Sequence, residues 1–226
     1  MGERREKLKG VQRIIAQKMV KSKNTIPHVT TIREVRMERV IEKKELLNKE
    51  ADKKVTFMPF IIKAVIEGIK KHPIINASLQ DEEIVYHDNI NIGIAVTVAN
   101  KLLVPVFKGL EHKSFQEIIQ TANEIFTKAR NNNLTPDDFR EGTFTISNSG
   151  VFGGEIFTPI INYPQSAILG IGRVQLKPVV NDNGKIRACP MMYLCLSYDH
   201  RIINGSEAVK FLGEVDNFLQ KPILDI

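Results

Sequence analysis

Near the end of the chain, Ser197-Tyr198-Asp199-His200-Arg201-Ile202-Ile203-Asn204-Gly205 gathers side chains able to move protons. The residues up to Tyr198 read as a strand, and an amphipathic helical pattern starts at Gly205. His200 therefore stands where a strand hands over to a helix. An imidazole titrates near neutrality, so His200 is a candidate general base. A lone histidine in a turn is most often structural; the charged neighbours Asp199 and Arg201, at a strand terminus, favour the catalytic reading. A second stretch runs from Gly142 to Gly154, where a strand enters a glycine-rich turn. In extended geometry the hydroxyls of Thr145, Ser147 and Ser149 share one face. Such a hydroxyl can donate to a developing oxyanion, although a strand followed by a flexible turn is the plain reading. Gly150, Gly153 and Gly154 do not make GxGxxG between a strand and a helix, so a dinucleotide site is not supported.

The elements that must position these residues follow from periodicity. A short helix is expected at Ile14 to Met19, a strand at Val29 to Val35 and a helix from about Met37 to Ala51. Pro59 suits the first turn of an amphipathic helix that stops at His72-Pro73. Strands are expected at Ile84 to His87, Asn91 to Val98, Leu102 to Phe107 and Gly142 to Asn148. Ser114 and Glu117 make a capping box for a helix that Asn131-Asn132-Asn133 ends. Ser166 to Val180 and Ile186 to Tyr198 read as strands of a hairpin around Asn181-Asp182-Asn183-Gly184. A last helix covers about Gly205 to Leu219. This irregular interleaving predicts an α/β fold, a mixed β-sheet flanked by helices, in one domain over residues 11–226 with residues 1–10 as a basic arm or linker remnant.

The chain has 226 residues, 42% of them hydrophobic and 26% charged, enough to bury one core. The net charge is +6. Residues 1–23 carry eight basic and two acidic side chains, which accounts for all of it; the remaining 203 residues balance at 24 against 24. With few aromatics and no Trp, a nucleic-acid platform is not expected. The most apolar run, Phe57 to Ile69, is broken by Lys63 and Glu67, and no membrane partner is expected. Cys189 and Cys195 are too few for a disulfide scaffold or a zinc site, and His28, His72, His87 and His112 lack metal-ligand spacing. No metal is expected, and a reducing, cytoplasmic compartment is (the mitochondrial matrix in a eukaryote).

Taken together, the two stretches resemble the lipoamide acyltransferases and their relatives the chloramphenicol acetyltransferases. The fingerprint Asp-His-Arg-x-x-Asp-Gly stands here as Asp199-His200-Arg201-Ile202-Ile203-Asn204-Gly205, and Thr143 to Gly150 matches the Thr-Phe-Thr-Ile-Ser-Asn-x-Gly strand. Ile26-Pro27-His28, Phe57-Met58-Pro59-Phe60, Asn91 to Val96, Pro159 to Asn162 and Ala167 to Gly170 match in family order. The resemblance implies a chloramphenicol acetyltransferase-like fold and acyl transfer between dihydrolipoamide and coenzyme A. It implies His200 as general base and Ser147 as oxyanion donor. Asn204 replaces the commoner Asp, which removes a charged role and leaves a hydrogen-bonding one. The coenzyme A site would comprise Lys44, Thr56, Thr97, Ser147, Asn148 and Gly172, with Thr56 standing for a serine and Thr97 for an aspartate. Most lysines on a charged helix such as that of Lys44 are simply solvated. The lipoyl group would come from a separate domain. The resemblance further implies a homotrimer joined into a larger cage, served by 2-oxo-acid decarboxylase and dihydrolipoamide dehydrogenase components. The alternatives are a free-standing acetyltransferase of a small hydroxylic acceptor, whose relatives usually show His-His where this chain has Asp199-His200, and an inactive structural core.

Overall fold

Side chains of period two and of period 3.6 meet on one face of a sheet in the computed structural model, which describes residues 3–50, 54–98, 101–181 and 183–224. The strands are β1 (His28–Arg36), β2 (Ala77–Gln80), β3 (Glu83–Tyr86), β4 (Ile92–Val98), β5 (Lys101–Leu103), β6 (Val106–Phe107), β7 (Phe144–Asn148), β8 (Ala167–Ile171), β9 (Gln175–Val180) and β10 (Ile186–Asp199). The helices are α1 (Val11–Thr25), α2 (Glu38–Glu50), α3 (Met58–Lys71), α4 (Phe115–Arg130) and α5 (Gly205–Gln220). Among the described residues, the main sheet has the order β1-β10-β8-β7-β4-β5, with β6 beside β4 and β9 beside β10. β4, β7 and β8 run parallel, and the other pairings are antiparallel. β2 and β3 form a separate hairpin.

One face of the sheet presents Ile92, Ile94, Phe144, Ile146, Leu169, Leu194, Leu196 and Tyr198. These pack on Phe60, Ile61 and Ile66 of α3, Phe115 and Ile118 of α4, and Phe211, Leu212 and Val215 of α5. Burying each such side chain contributes roughly 1.5–3 kcal/mol, which makes this layer the main source of stability. Gly68 lets α3 and α5 approach, because a Cβ there would stand 2.8 Å from the Phe211 ring. The opposite face carries Thr145, Ser147, Ile168, Gly170, Ser197 and Asp199, and it is covered by loop rather than helix. Phe157 lies on Gly170, Gln165 accepts from Thr145 Oγ1 at 2.6 Å, and Ser22 at the end of α1 donates to the Ile161 carbonyl at 2.6 Å.

The mixed sheet flanked by helices is as expected, and the capping box of α4 is present in both directions. Several boundaries differ. α1 extends well beyond Ile14 to Met19. The expected strand Leu102 to Phe107 is two pieces, because Pro105 has no N–H to continue the ladder and gives its carbonyl to Ile94 N–H instead. The expected strand Ser166 to Val180 breaks after Ile171: Gly172 N–H still donates to the Tyr193 carbonyl of β10, and Arg173 N–H leaves the ladder for the Gly154 carbonyl. β2 was not expected from the sequence, being only four residues long. Residues 3–9 are exposed and carry no regular structure, and Asp182 of the hairpin turn lies outside the described residues.

Candidate active site

His200 is the first residue after β10. Its backbone N–H donates to the Pro27 carbonyl at 3.2 Å, which ties the turn to the segment leading into β1. The ring lies 5.8 Å from that of Tyr198 and is exposed. No hydrogen bond joins its side chain to another described residue, so both nitrogens are free for substrate.

Asp199, 2% exposed, shapes this turn. Its carboxylate accepts from Arg201 Nε at 2.9 Å, from Arg201 Nη2 at 2.6 Å and from the Arg201 backbone N–H at 3.1 Å. The fork satisfies a buried charge, and it holds the Arg201 guanidinium above its ordinary pKa. Asp199 thus faces away from any role as a free acid. Asn204 is the N-cap of α5: its Oδ1 accepts from Glu207 N–H at 2.9 Å and from Ser206 Oγ at 2.7 Å. The expected hydrogen-bonding role is a helix cap that fixes where the His200 turn ends.

Ser147 sits near the end of β7, on the loop-covered face. Its hydroxyl neighbours diverge: Thr145 is buried against Gln165, and Ser149 Oγ donates to the Ile171 carbonyl at 3.4 Å. Ser147 Oγ makes no hydrogen bond to another described residue, which leaves it to bind a ligand. Asn148, Thr97 and Gly172 lie at the same end, where the parallel strands β4, β7 and β8 finish, the usual ligand edge of parallel strands. Gly172 is needed there, since a Cβ would run into the Glu155 carbonyl oxygen. α3 runs antiparallel to α5, with His72 Nδ1 at its end 3.0 Å from Glu207 Oε2 at the start of α5. Thr56, two residues before α3, therefore lies at the end of that helix away from Glu207. Lys44 joins it: its Nζ lies 4.6 Å from the centre of the Phe57 ring, so it is not simply solvated.

The chain does not bring His200 to Ser147. Ser147 pairs with Gly170, and Gly170 with Cys195, five residues before His200. The two side chains are thus separated by roughly 16 Å along the strands and about 10 Å across them. His200 and Asn204 form one half-site. Ser147, Asn148, Thr97 and Gly172 lie at the opposite end of the sheet. The sequence excludes His28 only as a metal ligand and does not reveal its place beside Asp199 in the β1–β10 register. It also missed Gln165, whose contact with Thr145 depends on folding. Among the described residues no cluster of His, Cys, Asp and Glu could hold a metal, and no helix is long and apolar enough to cross a membrane.

Sheet order and a one-sided helix layer give a chloramphenicol acetyltransferase-like fold. Chloramphenicol acetyltransferase itself shares the fold at a TM-score of 0.61 and 16% identity, over 90% of this chain and 94% of its own. Residues 1–225 match the 2-oxoacid dehydrogenases acyltransferase (catalytic domain) family, and the chain belongs to that family. It is 41% identical to the dihydrolipoyllysine-residue acetyltransferase component of the pyruvate dehydrogenase complex of Bacillus subtilis, over 98% of this chain and 51% of that protein. It is 40% identical to the dihydrolipoyllysine-residue succinyltransferase component of the 2-oxoglutarate dehydrogenase complex of Buchnera aphidicola, over 96% of this chain and 56% of that protein. The chain thus spans about half the length of these relatives. The cubic core of a pyruvate dehydrogenase multienzyme complex superposes with a TM-score of 0.90 at 33% identity, over 97% of this chain and 93% of its own. The dihydrolipoamide acetyltransferase of Azotobacter vinelandii does so at 0.91 and 32% over the same shares. A serine, a histidine and an asparagine were investigated in the latter's catalytic mechanism, the last two with the spacing of His200 and Asn204.

Proposed function

We propose that this chain transfers an acyl group between a dihydrolipoyl thiol and coenzyme A, with His200 as general base and Ser147 as oxyanion donor. The carrying observation is that both side chains are left without a protein hydrogen bond at opposite ends of one sheet. Thiols are mostly protonated near neutrality, with pKa values of about 8.5, so the attacking sulfur needs a base. His200 takes the S–H proton as the sulfur bonds to the thioester carbonyl carbon. The carbonyl oxygen becomes an oxyanion that accepts from Ser147 Oγ. Collapse expels the second thiol, whose sulfur receives the proton from the imidazolium. The nucleophile is itself a substrate, so no acyl-cysteine is required; Cys189 and Cys195 are buried, and burial pushes both thiols up, away from reactivity.

Because the half-sites are far apart in one chain, His200 of one copy must meet Ser147 of a neighbour, which supports a homotrimer as the smallest active unit. Asn148, Thr97, Gly172, Thr56 and Lys44 would then hold coenzyme A at the Ser147 end, and the lipoyl arm of a separate domain would enter at the His200 end. Apolar side chains left open near the Ser147 end, Val151, Phe152 and Ile156, support a contact between copies. Ile223, 82% exposed after α5, supports a further contact that joins trimers into a cage. The decarboxylase and dihydrolipoamide dehydrogenase components complete the proposed assembly. An acyl-coenzyme A panel with dihydrolipoamide as acceptor tests the reading and distinguishes acetyl from succinyl transfer. His200→Ala should lower turnover at least about 100-fold in a protein that still folds. A folded variant retaining more than about a tenth of the activity would remove His200 from the base role.

A further inference from the structure

The His28 ring ties the segment that leads into β1 to the covering segment at Ile161. Its Nε2 accepts from the Ile161 N–H at 3.0 Å. That nitrogen is therefore unprotonated, and Nδ1–H donates to the Ile26 carbonyl at 2.8 Å. Ile161 is held from its other side by Ser22 Oγ, and it packs with Ile26 and Ile168 in a small separate apolar cluster. Pro27, between the two anchored residues, supplies the carbonyl that accepts from His200 N–H. His28 also stands opposite Asp199 in the strand register.

We infer that His28 is a positioning residue for His200: its neutral ring locks the covering segment at Ile161 to the turn whose Pro27 carbonyl holds the His200 amide. The inference rests on His200 being the base, since it concerns how that base is aimed. A displacement of the turn by about 1 Å is enough to lower turnover strongly, because acid–base chemistry requires near-attack geometry. Protonating Nε2 would set a donor against the Ile161 N–H and open the lock. The charged groups that act on the ring are Lys23 at the end of α1 and Asp199 on β10, the latter paired with Arg201. Burial pushes the His28 imidazole below its ordinary value; the Ile26 carbonyl and Asp199 pull it up, and Lys23 pushes it down. The lock is thus intact above the usual histidine range of about 6.5 and is lost as pH falls through the depressed folded value.

The test compares His28→Asn, His28→Gln and His200→Ala in the full chain, with the most active acyl-coenzyme A of the panel. Asparagine can keep the bond to Ile26 but cannot reach Ile161. Glutamine can accept from Ile161 and does not titrate. His28→Asn should lower kcat about tenfold with KM for coenzyme A unchanged, because the coenzyme A residues lie at the far end of the sheet. His28→Gln should restore kcat to within about threefold of the parent. Equal kcat in the two variants, or a loss confined to KM for coenzyme A, would overturn the inference. An active His200→Ala would instead overturn the reading on which it rests.

Discussion

Ser147 and Asn204 act through one atom each, and each admits a sharp substitution. Ser147→Ala removes a hydroxyl with no protein partner, so the fold loses no hydrogen bond. If that hydroxyl serves the oxyanion, its loss costs about 3–4 kcal/mol in the transition state, a fall in kcat of roughly 100- to 1000-fold. KM for coenzyme A should barely move, because the bond strengthens only as the oxyanion forms. Steady-state kinetics decides: an unchanged kcat with a raised KM makes Ser147 a ligand contact only. Asn204→Asp keeps an oxygen able to accept from Glu207 N–H and from Ser206 Oγ. Asp and Asn cap helices about equally, and a carboxylate at a helix N-terminus gains about 0.3–1 kcal/mol. Activity within about threefold of the parent is expected. Inactivity in a folded protein would mean that the amide does more than cap. The sequence made His200 and Ser147 legible through two ordered stretches of residues. It left Asn204 as a generic hydrogen-bonding residue, although the helix expected from Gly205 already put it at the N-cap position that the structure shows.

At the scale of elements, strongly periodic segments were legible and interrupted ones were not. α3 and α4 carry apolar side chains at helical spacing with a proline or a capping box at the start, so local and tertiary preferences agree. The break past Ile171 could not be read, because Arg173 looks compatible with a strand until its N–H is seen to leave β10 for the Gly154 carbonyl. The short β2 has too few residues for an alternation to register. The break after Ile171 has an energetic cause in the turn from Gly150 to Gly154, which packs so closely on Gly172 that a Cβ on Gly150 would stand 2.5 Å from the Gly172 carbonyl oxygen. Gly172→Ala must move backbone rather than a flexible side chain. A loss of about 1–3 kcal/mol is expected. For a chain of this size it lowers Tm by several degrees, at roughly 2–4 °C per kcal/mol. An unshifted melting curve would show that the turn yields freely and that its tightness does not set the Ser147 end.

At the scale of the whole molecule, the division of the site becomes a statement about assembly. Ser147 faces the loop-covered side near the finish of β7, and His200 follows the last residue of β10, two strands away and at the other end. No rotamer change spans that gap of roughly 19 Å, because side chains reach only a fraction of it and the intervening strand β8 is buried throughout. A cyclic arrangement, in which the histidine end of one copy faces the serine end of the next, uses each half-site once and closes on itself. This arrangement predicts complementation between defective chains. His200→Ala and Ser147→Ala each leave every site in a uniform assembly without one of its two groups. When both are co-expressed in equal amounts and mix at random, about a quarter of the interfaces unite an intact histidine from one chain with an intact serine from its neighbour. Activity should recover to about a quarter of the parent's, far above either variant alone. If both groups served within a single chain, no mixture could exceed the average of the two variants. Assaying the co-expressed pair against separately purified and blended variants isolates the effect, since assembled particles exchange chains only if they dissociate. Activity at the two-variant average in verified mixed particles would refute the shared site.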